Sequence, residues 1–241
     1  MRTLALLAML LLVPVAIATA AVTAADDPIP GASGTVWVTE RTPGSSSVAA
    51  FDAATGEVLG STPVGSTPIG IVVPHGSDFA YTSDEGADQI SVISRAEVRV
   101  VETIPTGPGS RPHHLMANSN GDRIYVAEFG HNVVGVVDTV RNENSEDFVA
   151  SRNVQAKTHA VWVTRDGKDL YATNEGATQS SSGTLSKLDA RTGQLLWEIP
   201  IGTRPSEVLV TNDRKTAYVS VRNDNAIRIV DVSGDEPMLG P

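Results

Sequence analysis

The chain contains no cysteine among its 241 residues. Disulfides, thiol catalysis, cysteine-ligated zinc or iron–sulfur sites and cysteine lipidation are therefore excluded. Positive charge is also scarce, because 18 Lys and Arg stand against 28 Asp and Glu, a net charge of −10. An acidic surface repels phosphate backbones at long range, so we expect no sequence-independent binding of nucleic acid. With 41% hydrophobic and 19% charged residues, the composition favours a folded chain over a disordered one.

Long hydrophobic runs are absent except at the N-terminus. Arg2 precedes a run from Leu4 to Ala18, which is 15 residues and short for a transmembrane helix. Ala18-Thr19-Ala20 fits a small-x-small cleavage site, with Val22-Thr23-Ala24 as a second candidate. The pattern predicts a signal peptide, and an uncleaved membrane anchor is the alternative.

These features predict a signal peptide over residues 1–25 and a linker over residues 26–34. The mature protein is then exported, to the periplasm or the extracellular space, with no membrane span once the signal is removed. Without disulfides, such a domain depends on its core and its hydrogen bonds alone.

The rest of the chain repeats one short strand that carries an aromatic residue. Successive aromatics are 44, 44, 46 and 47 residues apart. The repeated tetrapeptides are Trp37-Val38-Thr39-Glu40, Tyr81-Thr82-Ser83-Asp84, Tyr125-Val126-Ala127-Glu128, Tyr171-Ala172-Thr173-Asn174 and Tyr218-Val219-Ser220-Val221. An apolar strand and a polar turn precede the last four of them; an alternating strand follows each one, and a closing strand follows all but the last. Four antiparallel strands per repeat of this length, here called a to d, indicate a β-propeller blade.

We therefore predict an all-β fold in which residues 35–231 form about five four-stranded propeller blades. The pattern begins at a strand b and ends at a strand c, and the tail over residues 232–241 has little strand character. The sequence thus predicts an unstructured or truncated tail and an incomplete ring.

The tetrapeptides resemble the YVTN-type β-propeller repeat family, and Tyr171-Ala172-Thr173-Asn174 is the closest match. The resemblance covers almost the whole mature chain. It implies a seven-bladed, WD40-like ring of which this chain supplies about five blades. It implies little about function, because propellers carry unrelated activities.

Two repeated features have structural explanations. Asp52, Asp138, Asp189 and Asp231 each end a strand c, where an Asp accepts hydrogen bonds from its own turn. We expect these residues to be turn caps. The strand-b aromatics lie in alternating segments, and we expect them to pack between blades.

The candidate site is on the face where the d–a and b–c loops emerge together. Its charged and histidine side chains are Arg111, His113, His114, Glu128, His131, Lys157, His159 and Arg204. Histidine suits proton transfer and metal ligation, so a ligand pocket, a metal or haem site, or simple hydrogen-bonded strand ends are the alternatives. Adjacent His113 and His114 point to opposite faces of a strand unless a bulge intervenes, which argues against a two-histidine metal site. We predict no metal and no cofactor.

Part of this region resembles the lactonase propellers related to 6-phosphogluconolactonase. The residues that carry the resemblance are Pro112-His113-His114-Leu115 and Tyr125-Val126-Ala127-Glu128. The family has an Arg-His pair and an Asn-Glu pair at these points. His114 and Glu128 match, whereas His113 and Ala127 replace the Arg and the Asn. The resemblance implies a hydrolase that uses His114 and Glu128, with Arg111 orienting an anionic substrate.

The haem d1 propeller of periplasmic nitrite reductases is similar through its repeats, but no histidine here matches its iron ligand. No Gly-rich phosphate loop, nucleophile elbow or His-Glu-x-x-His motif occurs in the sequence. We therefore interpret the chain as an exported, non-enzymatic binding or scaffold propeller whose partner is a protein or a small anionic ligand. The alternative is the lactonase-like hydrolase, and we assign no catalytic residue in the leading interpretation.

Signal cleavage makes a first prediction. The exported protein should begin between Ala21 and Asp27, because both cleavage candidates lie just before or within that interval. N-terminal sequencing of the periplasmic or secreted fraction measures this. Recovery of the intact chain from Met1 in the membrane fraction would instead indicate the anchor.

Overall fold

A computed structural model describes residues 33–42, 45–153 and 155–240. The predicted signal peptide and residues 26–32 of the predicted linker lie outside the described residues. The described chain forms five antiparallel sheets, one with three strands and four with four strands, and one 3-10 turn at Arg222–Asp224. Within these ranges, no helix has the length and apolarity needed to cross a membrane.

Each sheet is one propeller blade, with its strands in chain order. Blade 1 has strands b to d: β1 (Thr35–Thr42), β2 (Ser45–Asp52) and β3 (Val58–Pro63). Blade 2 has β4 (Pro68–Val72), β5 (Phe79–Asp84), β6 (Gln89–Ser94) and β7 (Arg99–Pro105). Blade 3 has β8 (Pro112–Ala117), β9 (Arg123–Glu128), β10 (Val133–Asp138) and β11 (Glu143–Val149). Blade 4 has β12 (Lys157–Val163), β13 (Asp169–Glu175), β14 (Ser182–Asp189) and β15 (Leu195–Thr203). Blade 5 has β16 (Pro205–Val210), β17 (Thr216–Val221), β18 (Ala226–Asp231) and β19 (Met238–Leu239). The prediction of an all-β fold with about five blades is confirmed.

The structure differs from the sequence prediction in the tail. Residues 238 and 239 form the short strand β19, which pairs with β18 through Val230 with Leu239 and Asp231 with Met238. The tail therefore contains a short d strand in blade 5 and is not wholly unstructured. Two residues are too few to show an alternating pattern, which explains why the sequence did not reveal the strand.

Strands b of blades 2, 3 and 4 are buried on both faces because a blade packs against each side. Tyr81, Tyr125 and Tyr171 are buried between their own blade and the next. Tyr81 Oη donates a hydrogen bond to Asn142 Oδ1 at 2.7 Å, and Tyr125 Oη donates to the Ala190 carbonyl at 2.8 Å. Tyr81 and Tyr125 thus tie their blades to the c–d turn of the next blade, whereas the Tyr171 hydroxyl has no hydrogen-bond partner among the described residues. The prediction that the strand-b aromatics pack between blades is confirmed for these three blades.

The aspartates that end strands c are turn caps, as predicted. Asp52 Oδ1 accepts hydrogen bonds from the amides of Ala54 at 2.9 Å and Thr55 at 2.8 Å, and these bonds lower the pKa of Asp52. Asp138, Asp189 and Asp231 accept equivalent bonds from the residues two or three positions later. These carboxylates therefore fix the c–d turns.

A hydroxyl in the third position of the tetrapeptide bridges neighbouring blades. Strand a bulges in blades 2 to 5, which frees backbone groups from the ladder. Thr173 Oγ1 accepts the amide hydrogen of Ala160 in its own blade at 3.1 Å and donates to the carbonyl of Ser206 in the next blade at 2.5 Å. Ser83 makes the same pair of bonds, to Gly70 and to His113.

The other three positions of this series are Thr39, Ala127 and Ser220. Thr39 donates to the next blade and Ser220 accepts from its own blade, so each makes half of the bridge. Ala127 has no hydroxyl, so the joint between blades 3 and 4 lacks this bridge.

Blade 1 and blade 5 each have one face against which no described blade packs. These faces expose apolar side chains whose equivalents in the other blades are buried. Val36 and Val38 in blade 1 are 49% and 44% exposed, and Tyr218 and Ile227 in blade 5 are 41% and 69% exposed. The tyrosine equivalent to Tyr218 is almost fully buried in blades 2 to 4. The described arc therefore presents two unpacked blade faces.

Removing one bridging hydroxyl should destabilise the propeller. Thr173→Val keeps the side-chain shape but leaves the buried Ala160 amide and Ser206 carbonyl without their partner. We expect a loss of about 1–3 kcal/mol in the free energy of unfolding, the usual cost of unpaired buried polar groups. Urea unfolding measures it. Ser220→Ala is the matched control, since Ser220 makes one of the two bonds, and an equal loss in both variants would contradict the bridging role.

Candidate functional site

The N-terminal ends of strands a in blades 3 and 4 bring His113, His114 and His159 together. The pairing of β8 with β9 shifts register between Pro112 and Leu115, so His113 and His114 both lie in a bulge. The centroid of the His113 ring is 4.3 Å from that of His159. His114 Nδ1 accepts the Val161 amide hydrogen at 3.4 Å. The bulge therefore turns both adjacent histidines toward blade 4, and the sequence alone did not reveal it.

An aromatic residue that the sequence analysis did not select completes this cluster. The ring of Phe129 lies 5.7 Å from His113 and 5.8 Å from His159, centroid to centroid. Two predicted cations lie near the same ring, with Arg111 Cζ at 5.0 Å and Lys157 Nζ at 5.6 Å from its centroid. Cation–π contacts of this length are favourable, so Phe129 holds both cations at the edge of the histidine pair.

The three clustered histidines are neutral at neutral pH. Burial lowers the pKa of His113 and of His114, and burial together with the neighbouring His113 lowers the pKa of His159 to about 3. The Nδ1 atoms of His113 and His159 are buried and have no hydrogen-bond partner among the described residues. Neutral rings with unpartnered nitrogens can bind a ligand without first losing a proton.

Glu207 is a second residue that the sequence analysis did not select. Its Oε2 is 3.7 Å from His114 Nε2 and its Oε1 is 4.0 Å from His159 Nδ1. The side chain is 56% exposed, and it lines a cavity of about 330 Å³ together with His114 and Trp162. A carboxylate therefore faces two imidazoles across a solvent-accessible space. The signal for it was available, because Ser206-Glu207 aligns with His113-His114 in the repeat.

Two arginines share one carboxylate at the neighbouring blade joint. Glu175 is nearly buried; its Oε2 is 3.3 Å from Arg204 Nε and its Oε1 contacts Arg222 Nη2. His159 Nε2 is 4.0 Å from the same carboxylate. Arg111 instead pairs with Glu85. Lys157 takes part in none of the ion pairs found in the described part of the chain.

The d–a loops are shaped by the b–c loops that they contact. Arg111 and Arg204 adopt left-handed backbone conformations, with φ of 50° and 57°. The Asp88 carboxylate accepts the amide hydrogens of Gly109 at 2.7 Å and Arg111 at 2.9 Å, and these bonds lower the pKa of Asp88. The two loop types therefore lie on one face, as the strand order predicts, and the b–c carboxylate holds the arginine backbone in place.

Glu128 and His131 form a separate pair between blades 2 and 3. Glu128 Oε2 lies at hydrogen-bond distance, 3.2 Å, from His131 Nδ1, and its Oε1 has no partner among the described residues. The carboxyl is 1% exposed. Burial, then the nearby Asp147 and Asp88, raises the pKa of Glu128 to about 8. Glu128 is therefore an uncharged acid at neutral pH.

In blade 3, Glu128 lacks the strand-c hydrogen-bond partner that the equivalent side chains have in blades 2 and 4. Asp84 accepts a hydrogen bond from Ser91 on strand c at 2.6 Å, and Asn174 donates one to Ser186 at 2.9 Å. In blade 3 the corresponding strand-c residue is Gly135, where an added Cβ would lie 2.8 Å from Glu128 Oε1. The longer acid fits because glycine leaves room for it, and no serine hydroxyl is present to satisfy it.

The structure brings most of the predicted residues into one cluster but leaves some apart. His113, His114, His159, Lys157 and Arg111 meet around Phe129 and Glu207, and Arg204 joins through Glu175. Glu128 pairs with His131, so the carboxylate beside His114 is Glu207. Arg222 also belongs to the cluster and was not selected from the sequence. Across the described ranges, no group of three or more His, Asp or Glu side chains is placed to hold a metal ion.

Comparisons with known proteins support the fold. No protein-family model matches the chain. Antigen Lp49 of Leptospira interrogans is 22% identical over 161 residues, which is 62% of this chain and 34% of that protein. The chain thus spans about a third of the length of this curated relative.

Two solved structures show the same architecture. Hydrazine synthase of Kuenenia stuttgartiensis superposes with a TM-score of 0.74 at 21% identity, over 86% of this chain and 62% of that one. A putative 6-phosphogluconolactonase from Bacteroides uniformis superposes with a TM-score of 0.71 at 17% identity, over 86% of this chain and 66% of that one. The chain therefore has a β-propeller fold and spans less than two thirds of each of these longer chains.

The buried acid predicts how stability depends on pH. The pKa of Glu128 in the folded protein, about 8, is above the ordinary carboxyl value of 4.5. Between about pH 4.5 and pH 8, the folded state therefore binds a proton on Glu128 that the unfolded state has lost. The free energy of unfolding therefore falls as the pH rises through this range. Glu128→Gln should melt at nearly the wild-type temperature at pH 5. At pH 8.5 it should melt at least about 3 °C higher, the shift that about 1 kcal/mol produces in a domain of this size.

Differential scanning fluorimetry from pH 5 to 9 measures this difference. Glu146→Gln, which removes an exposed carboxylate from the same blade, is the control and should track the wild type throughout. A Glu128→Gln curve parallel to the wild-type curve at every pH would show that Glu128 is ionised in the folded protein.

Proposed function

We propose that this chain is an exported, non-enzymatic binding propeller of the YVTN type. It binds a small anionic ligand on the face of the d–a and b–c loops, at the cluster around His113, His159 and Lys157. The observation that carries the proposal is the pair of buried, neutral imidazoles with unpartnered Nδ1 atoms beside a cation that has no ion-pair partner in the described chain.

The charge distribution supports an anionic ligand. Arg204 and Arg222 share the single carboxylate of Glu175, and Lys157 is placed over Phe129 without a described counter-ion. This local surplus of positive charge lies in a chain whose net charge is −10. A carboxylate or phosphate group on a ligand would pair with these cations through charge-assisted hydrogen bonds.

The remaining polar groups support a ligand that also carries hydroxyls. His113 Nδ1 and His159 Nδ1 can accept hydrogen bonds, and so can the exposed carboxylate of Glu207. An acceptor-rich wall next to a cationic edge suits a hydroxy acid or a sugar acid. A few converging polar groups at a concave site are typical of small-molecule binding.

The proposal predicts a charge-dependent affinity. Isothermal titration calorimetry at fixed ionic strength would use gluconate, 6-phosphogluconate, citrate and inorganic phosphate as probes. Lys157→Met should weaken binding of the best probe by about tenfold, the value of one charge-assisted hydrogen bond. The control is Lys168→Met, an exposed lysine in the a–b turn of the same blade. Absence of binding by all four probes, or equal losses in both variants, would contradict the proposal.

A lactonase-like hydrolase is the second candidate, and the 3.7 Å approach of Glu207 to His114 favours it. A carboxylate held by an imidazole can take a proton from water, which would attack the lactone carbonyl and open the ring to the hydroxy acid. Glu128 fits this role poorly because it is buried and pairs with His131. In this candidate, Glu207 is the base, and His114, whose Nδ1 accepts the Val161 amide hydrogen, positions it through Nε2.

A hydrolysis assay separates the two candidates. The rate of acid release from δ-gluconolactone is followed at constant pH, against the spontaneous rate. The binding proposal expects no acceleration. Acceleration that disappears in His114→Ala would replace it with the hydrolase. Loss in Glu207→Gln with retention in Glu128→Gln would then identify the carboxylate involved.

A further inference from the structure

A second cleft lies on the opposite face, where strands a of blades 3, 4 and 5 end. Its volume is about 240 Å³. We call it the arginine cleft and define it by Met116, Trp162, Arg165, Val210, Asn212 and Arg214. The strands β8, β12 and β16 end at its floor, and the a–b turns that follow them form its rim. The candidate site described above is at the other end of the same strands.

The floor of the arginine cleft is apolar and well supported. Met116 accepts the Val163 amide hydrogen on its sulfur at 3.4 Å, which links blades 3 and 4 beneath the cleft. Val210 is buried, and Trp162 is partly buried against the core of blades 4 and 5. Trp162 also lines the cavity that contains His114 and Glu207. The indole therefore presents an aromatic surface to both spaces.

The rim is polar and carries a positive charge. Arg214 Nη1 pairs with Asp166 Oδ2 at 2.6 Å, which joins the turns of blades 4 and 5. Arg165 lines the cleft and takes part in none of the ion pairs formed by the described residues. An adjoining space of about 370 Å³ is lined by Arg165, Asp166, Asn212 and Arg214. Two guanidinium groups thus face one carboxylate in a chain of net charge −10.

We propose that the arginine cleft binds a small amphiphilic anion, a single ring that carries a carboxylate or phosphate group. The ring rests on Trp162, Met116 and Val210, and the anionic group is held by Arg165 with Arg214. Guanidinium groups recognise both oxyanions through planar paired donors. The volume is below the roughly 300–1,000 Å³ of sites for drug-sized ligands, which limits the occupant to about one ring. This site is independent of the function proposed above, because it shares none of its cations.

The test uses phenyl phosphate and benzoate as probes on the full chain. Binding is measured by calorimetry and by the fluorescence of Trp162, one of three tryptophans. Trp197 is 7% exposed, so little of its emission is accessible to a bound probe. We expect saturable quenching with either probe. Benzyl alcohol and inorganic phosphate, which each lack one half of the ligand, should bind at least about tenfold more weakly.

Two matched variants locate the site. Arg165→Met should weaken binding of phenyl phosphate by about tenfold, since it removes one charge-assisted contact. The control is Arg191→Met, an exposed arginine in the c–d turn of the same blade and on the same face. Arg191→Met should bind like the wild type. Absence of quenching, unchanged affinity in Arg165→Met, or an equal loss in Arg191→Met would overturn the proposal.

Discussion

Bridging hydroxyls at the bulge of strand a set the geometry on which the rest of the propeller depends. Ser83 and Thr173 each accept a hydrogen bond from their own blade and donate one to the next, whereas Thr39 and Ser220 each make one of these two bonds. The bulge leaves these backbone groups available, and blade 3 keeps the bulge although Ala127 has no hydroxyl. The same bulge allows two consecutive residues of strand a, His113 and His114, to contact the next blade. The bulge of strand a therefore contributes both to the joints between blades and to the placement of side chains in the site.

Blade 3 departs from the repeat at three consecutive positions around the end of strand b and at one position on strand c. It has Ala127 where the others have Ser or Thr, Glu128 where its neighbours have a shorter side chain, and Phe129 where they have Glu. It also has Gly135 in place of a strand-c serine. Each change removes a structural hydrogen bond that the neighbouring blades retain. Phe129 contacts His113 and His159, whereas Glu128 and Gly135 belong to the separate pair with His131.

The sequence predicted the architecture well because the fold is carried by a repeated local pattern. The aromatic of each tetrapeptide, the c–d aspartates such as Asp52, and the charged d–a loops all keep one period, so their positions follow from alignment. The site was predicted only in part. Phe129 and Glu175 act through contacts with the next blade, and the pairing of Glu207 with His114 crosses two blade joints. Such contacts depend on the curvature of the arc, which no single repeat encodes. The strand Met238–Leu239 was too short to have a pattern.

The blades of the described arc are unequal in how readily they open, because they differ in how many blades pack against them. A central blade such as blade 4 is held by neighbours on both sides, whereas blades 1 and 5 each present an unpacked face with Val36 or Ile227 exposed. In a linear array of units that contact their neighbours, opening starts where a unit has one neighbour. Within the described arc, amide hydrogens of the central blades should therefore exchange with solvent more slowly than those of blades 1 and 5. His113, His114 and His159 lie in blades 3 and 4, in the slowly exchanging part.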